Sequence, residues 1–213
     1  MTPFEKRPGK VVCVGRNYRA HAAELGNAVP SEPLLFLKPP SAIIGPNEPI
    51  VIPSVTQRVE HEGEIGVIVS KTLRKVGTEQ AAAAVGGIVC VNDVTARDLQ
   101  RQDSQWTRAK GFDTFCPVGP RVVEVDQWNA LSDIEVICRV NGEERQRGVA
   151  ADMVFDIPRV LSYISFIMTL EPGDLVSTGS PEGVGPLVPG DRVEVEIPGV
   201  GVLSNPVEAD SAS

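Results

Sequence analysis

The densest chemistry in the chain lies in Val59-Glu60-His61-Glu62-Gly63-Glu64-Ile65-Gly66-Val67-Ile68-Val69. A strand beginning near Glu60 places Glu60, Glu62 and Glu64 on one face, because side chains alternate with a period of two. Three carboxylates so placed repel unless a cation, protons or bulk water relieves them. A solvated acidic edge strand meets that condition. So does a metal site, and oxygen-only ligands favour Mg²⁺, Mn²⁺ or Ca²⁺ over zinc. Asp93 follows Asn92 at the end of the apolar run Ile88-Val89-Cys90-Val91, where a third ligand would stand, although Asn-Asp is also a common turn pair. Of the two histidines, His21 lies three residues before Glu24. On a short helix both share one face, and the carboxylate can orient the imidazole as a general base; a plain surface helix carries the same spacing. The loop Thr178-Gly179-Ser180-Pro181-Glu182-Gly183-Val184-Gly185-Pro186 lacks Gly-Lys-Ser/Thr and has proline where a dinucleotide fingerprint opens a helix. It reads either as a tight loop or as a backbone surface approaching a small anion, with the Thr178 hydroxyl as donor.

The elements that must hold these groups are mainly strands. Lys10–Val14, Ile50–Ile52, Glu64–Ser70, Gly87–Asn92, Ile134–Val140 and Asp191–Ile197 are rich in Val and Ile and bounded by Gly, Pro, Asn or Asp. Asn141-Gly142 marks a type I′ hairpin, and Pro198-Gly199 a second turn. Helices are expected over Ala20–Leu25, ended by Gly26, over Thr78–Val85, and over Pro158–Met168, where Ile157, Val160, Leu161, Ile164 and Met168 form an apolar stripe. Helices interposed irregularly among strands predict a mixed β (α+β) fold rather than a doubly wound sheet. One domain is expected over residues 1–213, with the first strand and short helix inside residues 1–50 and a polar tail over residues 206–213.

Composition limits the partners. Of 213 residues, 28 are Asp or Glu and 20 Lys or Arg, a formal net charge of −8 that repels nucleic acid. No apolar run approaches the ~18–20 residues of a membrane span, and no secretory leader is evident, so the expectation is a cytoplasmic protein without a membrane. Cys13, Cys90, Cys116 and Cys138 form no C-x-x-C pair and read as buried reduced thiols. Two Trp, two Tyr and six Phe leave few aromatics for a protein-docking surface once a core is filled.

Taken in order, these motifs resemble the fumarylacetoacetate hydrolase superfamily, in its short acylpyruvase-like branch. The resemblance is carried by Cys13-Val14-Gly15-Arg16-Asn17-Tyr18 with His21 and Glu24, Phe36-Leu37-Lys38-Pro39-Pro40-Ser41, and the acidic strand. It continues through Asn92-Asp93-Val94-Thr95-Ala96-Arg97-Asp98-Leu99-Gln100, Ala109-Lys110-Gly111-Phe112-Asp113 with Cys116-Pro117, Leu170-Glu171-Pro172-Gly173-Asp174 and the Thr178 to Gly185 loop. It implies a mixed β-sandwich roll, usually a homodimer, in which Glu62, Glu64 and Asp93 hold one Mg²⁺ or Mn²⁺. It further implies that His21 and Glu24 activate water on a lid helix, that Lys110 and Arg97 hold polar parts of the substrate, that Gln100 meets a developing oxyanion, and that Thr178 reaches a substrate carboxylate. Glu60 departs from the family pattern, where relatives carry His or Asp; an extra negative charge near the metal would shift substrate choice.

The expected reaction is metal-dependent hydrolysis of a C–C bond in acylpyruvates or related 2,4-dioxoacids such as fumarylpyruvate. A small 2-oxoacid chelated through its carboxylate and 2-oxo oxygen equally admits oxaloacetate decarboxylation, or isomerisation and hydration, at one site. From another class, a non-catalytic metal or small-anion binding protein would keep the fold without turnover.

Overall fold

The computed structural model describes residues 7–24, 26 and 28–210. Three sheets make up most of it. A seven-stranded sheet runs in the spatial order Leu34–Lys38, Val11–Gly15, Leu175–Ser177, Gly63–Val69, Val85–Asn92, Cys116–Val123, Ile43–Ile44. A five-stranded sheet runs Glu143–Val149, Glu135–Val140, Arg192–Ile197, Gly201–Ala209, Ile50–Ile52, and a small sheet joins Gly185–Leu187, Val59–His61 and Thr95–Ala96. The mixed β expectation therefore holds, with five α-helices interposed among the described residues.

Alternation along Val85–Asn92 divides the core. Ile88 and Cys90 point into a large apolar cluster that also takes in Ile65, Val67, Cys138, Val193 and Val195, so the two larger sheets pack face to face. Val89 and Val91 point the other way, into a smaller cluster with Val11, Cys13, Ile43, Cys116 and Leu175. With both faces covered, these strands are continuous Val/Ile runs, as the sequence shows. All four cysteines are buried and free. Gly63 allows the close approach of the sheets: a Cβ there would lie 2.9 Å from Cys138 Cβ.

The long helix spans Ile157–Ile167; Asp156 caps it by accepting from the Arg159 amide (2.8 Å), and Ile157, Val160, Leu161 and Ile164 are buried as the stripe predicts. Asn141 and Gly142 both have positive φ (53° and 80°), as a type I′ turn requires. Four expectations need correction. The helix from Thr78 stops at Ala82, because Val85 already belongs to the strand behind the site. The first helix is Arg19–Glu24, and Leu25 lies outside the described residues. Pro206–Ala209 are no tail but the end of a strand paired with Ile50–Ile52, while residues 211–213 lie outside the described residues. Two short helices, Arg97–Gln102 and Thr107–Lys110, were not foreseen, and both deliver residues to the site. No helix among the described residues is long and apolar enough to cross a membrane.

Candidate active site

Glu62 occupies the break between Val59–His61 and Gly63–Val69, and Asp93 follows the end of Val85–Asn92. Backbone pairing joins them: the Asp93 amide donates to the Glu62 carbonyl (2.8 Å), and the Glu62 amide donates to Asn92 Oδ1 (2.9 Å). Glu64 stands two residues along the strand, on the same face as Glu62. The three carboxylates are buried and offer oxygens that all lie within 4.8 Å of one another.

Four cations surround the acids. Lys110 Nζ donates to Glu62 Oε2 (2.8 Å) and Asp93 Oδ2 (2.5 Å). Lys38 Nζ donates to Asp93 Oδ1 (2.6 Å) and the Val94 carbonyl (3.0 Å). Arg97 bonds Glu62 through Nη2 and Glu60 Oε2 through Nε (2.6 Å), and Arg58 Nε reaches Glu60 Oε1 (2.6 Å). Burial pushes the Glu62 carboxyl up, but the Lys110 and Arg97 charges outweigh it and hold it well below the usual carboxylate range. Burial likewise opposes the Lys110 charge, and Asp93 and Glu62 reverse the effect, so its pKa is raised.

Glu64 differs because no cation among the described residues touches it. It accepts from Ser177 Oγ (2.6 Å), the Gly179 amide (2.9 Å) and Ser180 Oγ (2.6 Å). Burial first, then the Asp93 and Glu62 charges, pushes its pKa up to about 8 against those hydroxyl bonds. A divalent cation fits this donor set. The oxygens are hard, closely spaced and screened from water, and one carboxyl is driven to hold a proton that a cation would displace.

The acids open onto a narrow cleft whose wall includes His21, Arg97, Gln100, Lys110, Phe36 and Trp106. His21 Nδ1 lies 3.3 Å from Glu24 Oε2, and the Gly183 amide donates to the same carboxylate (3.0 and 3.2 Å to its two oxygens). Gln100 Oε1 accepts from Arg97 Nη1 (2.6 Å), which leaves its amide N–H groups as the end free to donate.

Glu62, Glu64, Asp93, His21, Glu24, Lys110, Gln100 and Arg97 are thus brought together from four separate stretches of chain. Three of the five Arg97 N–H donors go to Glu60, Glu62 and Gln100, and the side chain still lines the cleft. The structure does not bring Thr178 to the cleft: it is fully buried and its hydroxyl donates to the Ile65 carbonyl (2.9 Å). Ser180, two residues on, lines the cleft in its place. Glu60 adds no free charge, since Arg58 and Arg97 occupy both its oxygens. His61 turns away to Gln146 Oε1 (2.9 Å), where burial lowers its pKa.

Sequence reasoning assigned no role to Lys38, Ser177 or Ser180. The signal for Lys38 was a lysine closing the apolar strand Leu-Leu-Phe-Leu-Lys; for the serines it was the polar Ser-Thr-Gly-Ser that ends the strand facing Glu64.

A mitochondrial oxaloacetate decarboxylase of Dictyostelium discoideum is 42% identical over 205 residues, covering 94% of each chain. A mitochondrial oxaloacetate tautomerase of Arabidopsis thaliana is 42% identical over 210 residues, covering 95% of this chain and 92% of that one. The crystal structure of a 5-carboxymethyl-2-hydroxymuconate delta-isomerase from Mycobacterium smegmatis superposes with a TM-score of 0.88 at 46% identity, covering 96% of this chain and 80% of that one. Residues 10–208 match the family described as fumarylacetoacetate (FAA) hydrolase C-terminal, and the chain belongs to that family.

Proposed function

We propose that the chain is a divalent-metal-dependent enzyme acting on a 2-oxoacid, with tautomerisation or decarboxylation of an oxaloacetate-like substrate as its main reaction. The observation that carries this reading is the buried Glu62, Glu64 and Asp93 cluster with Lys110 bonded across two of its members. The names of the relatives, oxaloacetate decarboxylase and tautomerase, support it.

A Mg²⁺ or Mn²⁺, which Glu62, Glu64 and Asp93 would hold, would supply Lewis acidity toward the 2-oxoacid end of such a substrate. The chain's own groups do the rest. Lys110 keeps a fixed positive charge beside that end, and the Gln100 amide donates to oxygen as negative charge grows there. His21, with Nδ1–H held by Glu24, presents Nε2 as a proton acceptor. In tautomerisation Nε2 takes the C3 proton and returns it to the 2-oxo oxygen. In decarboxylation the C3–carboxylate bond breaks instead, CO₂ leaves, and C3 is protonated afterwards, so no base is needed for the cleavage.

Hydrolysis of acylpyruvates is the second reading, and the His21–Glu24 pair favours it: the same Nε2 can deprotonate water for attack on a distal carbonyl. The test follows oxaloacetate tautomerisation by ultraviolet absorbance, pyruvate release by a coupled assay, and acetylpyruvate loss, each with Mg²⁺ and with EDTA. Mg²⁺-dependent turnover of oxaloacetate supports the main reading. Turnover of acetylpyruvate alone transfers it to the hydrolase, and turnover of neither refutes both.

A further inference from the structure

We propose that Arg16 is a specificity-determining residue that binds a second carboxylate of the substrate, so that the cleft selects dicarboxylic 2-oxoacids. The proposal rests on the 2-oxoacid reading above and names the part of the substrate distal to the metal ligands.

The argument is one of unbalanced charge. Three long cationic side chains reach the cleft wall: Arg16, Arg97 and Lys110. Arg97 and Lys110 are spent on Glu60, Glu62 and Asp93. Among the described residues no carboxylate pairs with Arg16; its guanidinium lies instead by the Trp106 ring, Cζ 5.9 Å from the centroid. In a chain with 28 acids to 20 bases, a half-buried arginine left unpaired beside a cluster of carboxylates is conspicuous. A bound anion completes it.

The backbone holds Arg16 there against its own preference. Its φ of 59° lies in the left-handed region, which a long side chain rarely adopts. Asn17 fixes the position: its Nδ2 donates to the Phe155 (3.0 Å) and Thr178 (2.7 Å) carbonyls, its Oδ1 accepts from the Phe155 amide (2.9 Å), and its carbonyl accepts from Val154 (2.7 Å). Trp106 in turn packs on Gly15, where a Cβ would lie 2.8 Å from the ring, and meets Phe36 edge-on with centroids 5.3 Å apart. The planar guanidinium is thereby held beside an aromatic wall, with its fork free for bidentate carboxylate recognition. Strain of this kind persists where surrounding structure over-determines it, and it gathers at binding sites.

The experiment measures binding rather than turnover. Isothermal titration of the Mg²⁺-loaded protein compares 2-oxoglutarate with 2-oxopentanoate, which has the same carbon chain without the second carboxylate. Wild type should prefer 2-oxoglutarate by about 10- to 100-fold, the worth of a charge-assisted bidentate pair. Arg16→Gln should reduce that preference to about 2-fold or less while leaving 2-oxopentanoate affinity unchanged, and Arg16→Lys should keep part of it. Equal wild-type affinity for the two ligands overturns the Arg16 assignment alone, as does a preference that survives Arg16→Gln. Loss of both affinities in Arg16→Gln and Arg16→Lys alike makes Arg16 structural and also overturns it. Wild-type binding of neither ligand refutes the 2-oxoacid reading and Arg16 with it.

Discussion

Replacing Glu64 with glutamine should stabilise the metal-free protein, although Glu64 sits at the centre of the site. A carboxyl whose pKa is about 8 when folded and 4.5 otherwise binds more protons folded than unfolded. Its presence therefore lowers stability progressively as pH rises from 4.5 to 8. At about 1.4 kcal/mol per pH unit, the penalty reaches about 3 kcal/mol at pH 7 and about 5 kcal/mol above pH 8. Glutamine carries no such penalty, and the pocket can receive it. The amide oxygen can accept from Ser177 and Gly179, while Ser180 reverses its role, accepting from the amide and donating to Glu62 Oε2, 3.3 Å away. In a chain of 213 residues, 3 kcal/mol corresponds to a Tm gain of roughly 6–12 °C. Thermal melts followed by circular dichroism in EDTA should show that gain at pH 7 and almost none at pH 4.5. With Mg²⁺ the order should reverse, because the variant has lost a ligand and wild type gains stability by mass action. An equal or lower Tm for Glu64→Gln in EDTA at pH 7, or a gain that does not grow with pH, refutes the reasoning.

Other outcomes follow from the same charges and contacts. Lys110→Met in EDTA leaves Glu62 without one of its buried partners and should cost about 3–5 kcal/mol, or roughly 6–20 °C in Tm by the same melts. Metal binding at pH 7 should release about one proton per ion, seen as buffer-dependent heats in titration calorimetry, with affinity rising toward pH 8 as Glu64 ionises. His21→Ala should abolish acetylpyruvate hydrolysis while leaving oxaloacetate decarboxylation within about 10-fold of wild type, because only the former needs a water base; equal losses would remove that distinction. Gly183→Ala, at φ +93° and with the new Cβ 1.9 Å from the Arg145 carbonyl, should destabilise by about 2 kcal/mol or more, measured by urea titration.

The metal-ligand candidates could be read from sequence because strand periodicity and strand ends are local properties. Glu62 and Glu64 fall two apart beside an apolar run, and Asp93 ends another such run. Their counterions could not be read in that way. Lys38 meets Asp93 across 55 positions and Arg97 meets Glu62 across 35, pairings made by sheet topology alone. Thr178 and Ser180 exchange roles for a conformational reason: Gly179 between them takes φ +103°, which turns the chain so that one hydroxyl faces the sheet and the other the cleft. The helices Arg97–Gln102 and Thr107–Lys110 escaped notice because six and four residues are too few to display a helical repeat. Glu60 looks like a loose charge in the sequence because neither Arg58 nor Arg97 reveals there which acid it will meet.

Glu24 receives the Gly183 amide and the His21 ring on the same carboxylate. A six-residue helix is too short to hold itself in water, so Arg19–Glu24 keeps its place through such tertiary contacts. Withdrawal of that helix would therefore break the His21–Glu24 and Glu24–Gly183 contacts together. In the proposed reaction, the His21 imidazole would be aligned as a base only while Glu24 also holds the Gly183 amide. Under that proposal, control of proton transfer would rest on one hydrogen-bonded corner rather than on the acidic centre beside it.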